Sequence, residues 1–137
     1  MKQPRWINAS LAVAIHDEAL YEFGGLAGTR DLTLLESALD RARNLFAHEP
    51  RSSIFELAAA LCVGIARNHP FNDGTNRTAL LTTRAFLYLN GQELEPSQQD
   101  EVATLVAVAD GSLGAPELAE WLQRNSRRQR RSRPRTP

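Results

Sequence analysis

At 137 residues, with 42% hydrophobic but only 7% aromatic residues, the chain fits one compact domain and is poor in the residue types that favour sheets. Its single cysteine, Cys62, excludes an internal disulfide, and its longest apolar run, residues 57–66, is too short to span a bilayer. The zero net charge hides an asymmetry: all 16 acidic residues and 9 of the 16 basic ones lie in residues 1–123, while seven arginines fall in residues 124–137.

Residues 1–8 lack the apolar segment of a signal peptide, so a soluble cytoplasmic protein is expected. Apolar spacing then predicts about six helices. Ser10 is the expected cap of the first, which runs to Phe23 and stops at the pair Gly24 and Gly25. Thr33 and Glu36 form a capping-box pattern for the second, with Leu34, Leu35, Ala38 and Leu39 apolar. Ser53 and Glu56 repeat the pattern for the third, which runs to Asn68. It is apolar nearly all round, so it is expected at the centre with Cys62 as a buried small hydrophobe.

The segment HPFNDG interrupts the helices. A fourth helix follows from Thr75 to Leu89 and stops at Asn90 and Gly91. Ser97 opens a fifth that ends near Gly111, and Pro116 suits the first turn of a sixth carrying Leu118, Trp121 and Leu122. Residues 124–137 have no apolar residue except prolines, so they are expected to form a loose Arg-rich tail beyond a folded body of residues 1–123. The tail reads either as a solvated end lying against its own acidic body or as a contact for nucleic acid.

The nine residues HPFNDGTNR gather unlike chemistries at a helix junction. Pro70 ends the third helix, and Asp73 with Gly74 signals a turn. The backbone N–H groups of Gly74, Thr75 and Asn76 are then expected to be free at the start of the fourth helix, where the helix dipole favours an anion. Arg77 in that first turn opposes the dipole, a conflict that a bound phosphate removes. His69 can exchange a proton near neutral pH, Asp73 can hold Mg²⁺ beside a phosphate, and Phe71 is expected to plug the loop into the core. A base, a metal ligand, an anion cradle and a phosphate-binding arginine suit phosphoryl or nucleotidyl transfer. A plain capped loop with a surface histidine is the competing reading.

The segment HPFNDGTNRTA resembles the motif of the Fic/Doc family, whose Doc branch reads roughly H-P-F-x-D-G-N-K-R-T-A. GGLAGTRDLTLLESAL resembles the Doc-type segment after the first helix, FELAAALCVGIARNHPF the helix entering the motif, and FLYLNGQEL and LAEWL later parts of the family pattern. The resemblance covers about residues 16–122. It implies an all-α Fic-fold bundle in which residues 24–31 form a flap beside the active site, with Arg30 and Asp31 as its polar candidates and Asp31 reading equally as a turn or helix cap. His69 would be the general base toward a target hydroxyl, Asp73 the ligand of Mg²⁺ on ATP, and Arg77 the phosphate grip. Arg67 either adds charge for phosphate or is an exposed charge at a helix end.

Two positions depart from the motif. Thr75 replaces its asparagine, and Asn76 stands where AMP-transferring members have glycine and Doc kinases usually have lysine. Leu80 occupies the place of a second arginine found in AMP-transferring members, and Arg84, one further turn along, reads either as a partial substitute for it or as an ordinary surface arginine. Asn76 and Leu80 point away from AMP transfer. The resemblance therefore implies the toxin of a toxin–antitoxin pair, a bacterial kinase that phosphorylates a threonine of the translation factor EF-Tu, halts translation and is neutralised by a Phd-like antitoxin. An AMP-transferase on the same fold, a catalytically impaired binding module and a nucleic-acid-binding protein are the alternatives. His16 and His48 are read as structural or surface residues.

Overall fold

The computed structural model describes residues 3–28, 31–72 and 74–129. Six helices form in the order α1 (Ala9–Phe23), α2 (Leu32–His48), α3 (Ile54–Asn68), α4 (Thr75–Leu89), α5 (Gln98–Asp110) and α6 (Ala115–Arg124). The helical fold is the one expected. Two three-residue strands, β1 (Gln92–Leu94) and β2 (Ser126–Arg128), pair antiparallel with Glu93 opposite Arg127.

The caps explain most boundaries. Ser53 accepts from the Glu56 N–H while Glu56 reaches back to the Ser53 N–H, closing the expected capping box of α3. Ser97 caps α5 through the Asp100 N–H, and Pro116 lies in the first turn of α6. Two starts differ from expectation. Asn8, not Ser10, caps α1 by accepting from the Leu11 N–H at 2.8 Å. Asp31, not Thr33, caps α2 by accepting from the Leu34 N–H at 3.2 Å. In both cases an Asx side chain two residues upstream takes the orphan donor first, and Ser10 and Thr33 become ordinary first-turn residues.

Helix α3 is the axis of the molecule. Nine of its 15 residues are buried, and it packs on α2, α4, α5 and α6. Gly64 lets α2 come close: a Cβ there would lie 3.0 Å from the Ala38 carbonyl oxygen. Trp6 extends the core from the N-terminal segment, stacking on Phe86 at 5.8 Å and meeting Phe46 edge-on at 5.9 Å. Asn90 ties that segment down by accepting from the Arg5 N–H and donating to the Arg5 carbonyl.

Beyond residue 123 the described chain continues through residue 129. Arg124 ends α6, Ser126–Arg128 pair with β1, and the Gln129 N–H donates to the Gly91 carbonyl at 2.9 Å. Arg127 reaches Glu93 at 3.3 Å and Glu95 at 3.0 Å. Strand pairing and opposite charge build this part of the arginine-rich segment into the body, and the rest, residues 130–137, lies outside the described residues.

Candidate active site

The site forms where α3 hands over to α4. His69 closes α3 in the left-handed conformation, φ 50° and ψ 57°, and is the only non-glycine with positive φ among the described residues. That conformation is unfavourable for a side chain with a Cβ, and here a histidine holds it directly before Pro70. Phe71 then turns inward. It is 2% exposed, and its ring lies parallel to that of His16 at 3.9 Å and 9°. His16, itself 1% exposed, belongs to α1. It therefore lies beneath the motif loop rather than at the surface. Its place in the sequence gave no signal of this beyond its lying one turn before the apolar Leu20.

Ala27, Gly28 and Asp31 lie beside the loop and bond to it. The Asp31 N–H donates to the Pro70 carbonyl at 3.0 Å, and the Asn72 N–H to the Gly28 carbonyl at 3.2 Å. The Asn72 side chain adds a bond to the Ala27 carbonyl at 3.2 Å. Gly28 makes this approach possible: its φ is +112°, and a Cβ would lie 2.9 Å from the Asn72 side-chain nitrogen. Arg30 and Asp73 lie outside the described residues.

Gly74 opens α4 at φ 72° and supplies no side-chain cap, and no acidic residue follows in the first turn. The Thr78 N–H is bonded to the Gly74 carbonyl at 2.9 Å, so the N–H groups of Thr75, Asn76 and Arg77 precede the first closed turn and have no carbonyl within the helix. These residues line a cavity of about 540 Å³ together with Phe23, Gly24, Gly25, His69, Asn72 and Gly74. The site thus brings together an exposed imidazole, uncapped N–H groups and the exposed Arg77. Its size and donors fit the phosphates of a nucleotide. Among the described residues no three acidic, histidine or cysteine side chains form a metal cluster.

The chain belongs to the Fic/DOC family. The family's model matches residues 6–87. The chain is 35% identical over 121 residues to "Protein kinase doc" of Escherichia phage P1, covering 88% of this chain and 94% of that protein. It is also 34% identical over 104 residues to "Toxin Doc" of Mycolicibacterium smegmatis (strain ATCC 700084 / mc(2)155), covering 71% of this chain and 80% of that protein.

Within this Fic/DOC chain the residues singled out from the sequence divide into two groups. His69, Gly74, Thr75, Asn76 and Arg77 share the cavity, whereas Phe71 is buried against His16 and does not line it. Arg67 is exposed in the last turn of α3 and does not line the cavity. Thr75 is buried, and its hydroxyl donates to the Phe71 carbonyl at 3.4 Å, so what it offers the cavity is its N–H. Asn76 is half-buried, and its side-chain oxygen is buried without a hydrogen-bond partner. Arg84 is neither a phosphate ligand nor an idle surface charge: it donates to the Leu94 carbonyl and to Glu101, each at 2.6 Å. Beside the cavity, Phe23, Leu80, Leu81, Val102, Leu105 and Val106 line an apolar groove. His48 is exposed, with Nδ1 3.0 Å from the Asn44 carbonyl.

Proposed function

We propose that this chain is a Doc-type toxin that transfers a phosphate from ATP to a protein hydroxyl. The observation that carries the reading is the junction itself. A histidine held in the left-handed conformation shares one cavity with the uncapped start of α4 and with Arg77. The proton acceptor and the phosphate donors need not be recruited from elsewhere.

In this reading the N–H groups of Thr75 and Asn76 and the guanidinium of Arg77 hold phosphate oxygens. His69 takes the proton of the target hydroxyl as its oxygen bonds to the γ-phosphorus and the bond to the β-phosphate oxygen breaks, leaving ADP. Mg²⁺, held by Asp73 and phosphate oxygens, supplies charge neutralisation when bound. Ala27 and Gly28, bonded to Asn72 of the cavity wall, would align the target peptide.

Phosphate rather than AMP transfer is favoured by Asn76, whose side chain occupies the first turn of α4, and by Arg84, whose two contacts commit it to Leu94 and Glu101. With Leu80 in the groove, no second arginine lines the cavity or the groove beside Arg77 among the described residues. The name of the phage P1 relative, a protein kinase, agrees with this. The expected target is a threonine of EF-Tu, in the cytoplasm of a bacterium, with arrest of translation as the consequence. The apolar groove, where Val102 and Val106 are each 59% exposed, suits the apolar face of a Phd-like antitoxin helix.

The test is intact-mass measurement of EF-Tu and other candidate targets after incubation with Mg-ATP and either wild type or the His69→Ala variant. Addition of phosphate by wild type and a loss of about 10²-fold or more in the variant, with an unchanged melting temperature, is the expected result. Addition of AMP would establish the alternative chemistry, and transfer retained by His69→Ala would remove the base assignment.

A further inference from the structure

We infer that Phe23 is a positioning residue that holds the Arg77 guanidinium at the cavity in readiness for a nucleotide phosphate. The inference rests on the phosphate-transfer reading and adds a residue from outside the motif.

The guanidinium carbon of Arg77 lies 4.3 Å from the centroid of the Phe23 ring, well within the range of a cation–π contact. Among the described residues no carboxylate lies within ion-pair distance of Arg77. Arg84, one further along the same helix, is fixed by a carbonyl and a carboxylate. The contrast is chemically sensible. A carboxylate partner would neutralise Arg77 and compete with an incoming phosphate, whereas an aromatic face orients the guanidinium and leaves its full charge and its N–H donors available.

Phe23 is also placed for this task by the backbone. It is the last residue of α1, and Gly24 at φ 81° turns the chain away directly after it. Its ring is 57% exposed, so core packing does not account for its position. Phe23, Asn76 and Arg77 line both the polar cavity and the apolar groove, which puts the ring and the guanidinium at the boundary of the two.

The experiment compares wild type, Phe23→Leu and Phe23→Trp in the full chain. Leucine removes the π face and keeps apolar bulk; tryptophan keeps a face of greater cation affinity. Calorimetry with a non-hydrolysable ATP analogue and Mg²⁺ is expected to show about three- to fivefold weaker binding for Phe23→Leu and wild-type binding for Phe23→Trp. The KM for ATP should rise by the same factor while kcat stays within about twofold, because a held guanidinium meets phosphate in the bound substrate as well as in the transition state. In the free protein, the Arg77 side-chain protons should carry an aromatic ring-current shift in wild type and Phe23→Trp that vanishes in Phe23→Leu.

Unchanged nucleotide affinity in Phe23→Leu, with wild type binding ATP normally, would overturn the inference alone. Equal weakening in both variants would do so too, since it would mark a structural role. A wild-type protein that binds no ATP would overturn the phosphate-transfer reading and this inference with it.

Discussion

His69 carries an unfavourable backbone conformation, and the residues around it explain how the fold maintains that conformation. A non-glycine residue in the left-handed region costs on the order of 1–2 kcal/mol. Its N–H remains bonded to the Ile65 carbonyl, Pro70 follows with a buried ring, and Phe71 is clamped in the core against His16. The motif residues were legible because a proton acceptor, a turn and a cation crowd into one junction. His16 was not, because it stands 55 residues before Phe71 and nothing local marks a long-range ring contact. Cys62 was legible from its apolar neighbours, and its burial pushes the thiol from its ordinary 9.0 up to about 11, partly opposed by a hydrogen bond with Thr83. The folded protein therefore keeps this thiol neutral after an unfolded chain would have ionised it. Its contribution to stability is intact below about pH 9 and is lost as the pH rises through about 11. At pH 8 the native thiol should react with a soluble disulfide reagent roughly 10³-fold more slowly than in denaturant, because only opened molecules expose it. Rapid native labelling would show that α3 is not the closed axis described above.

At the scale of elements, the helices follow from periodicity and caps, while their exact starts depend on competition between neighbouring cap residues. Asn8 and Asp31 win because each reaches the donor three residues ahead, Leu11 and Leu34. The β1–β2 ribbon escaped notice because three residues are too few to display an alternating pattern. In the phosphate-transfer reading proposed above, the start of α4 is the element that would select the chemistry. It has a capless left-handed Gly74, N–H groups without helical partners, and the Asn76 side chain beside them. Asn76→Gly would clear that side chain and its unpartnered oxygen, opening room for a second phosphate at the helix start. Weak AMP transfer is expected to appear, because Leu80 stands where AMP-transferring members carry a second arginine, and phosphate transfer should fall. Folding should be affected little: the backbone freedom of glycine costs about 0.5–1 kcal/mol, and removal of an unsatisfied buried oxygen offsets part of it. The measurement is the mass added to the target by wild type and variant, and a variant that adds phosphate as before, with no AMP, would show that this side chain does not set nucleotide orientation.

For the whole molecule, the acidic body and the arginine-rich end are joined by structure as well as by charge. Residues 125–129 contribute a set of ties: Glu95 N–H to the Asn125 carbonyl at 2.7 Å, the β1–β2 pairing, Arg127 between Glu93 and Glu95, and Gln129 to the Gly91 and Tyr88 carbonyls. Leu94, in the strand that these ties hold, is 2% exposed, and its carbonyl accepts from Arg84 of α4, which also grips Glu101 of α5. Loss of β2 would uncover Leu94 and loosen the clamp between α4 and α5, and the start of α4 lines the candidate site. Two truncations separate this from the unspecific effect of removing positive charge. A chain ending at Gln129 loses four arginines but keeps every tie named above, so its melting temperature should match that of the full chain. A chain ending at Gln123 should melt lower by roughly 3–10 °C, corresponding to about 1–2 kcal/mol for lost ribbon hydrogen bonds and newly exposed apolar surface. The difference should persist at high salt, because hydrogen bonds and burial dominate it and the exposed pairs of Arg127 do not. Equal melting temperatures for the two truncations would mean that the ribbon is an ornament on the bundle, and that the folded body ends where the apolar pattern of α6 does.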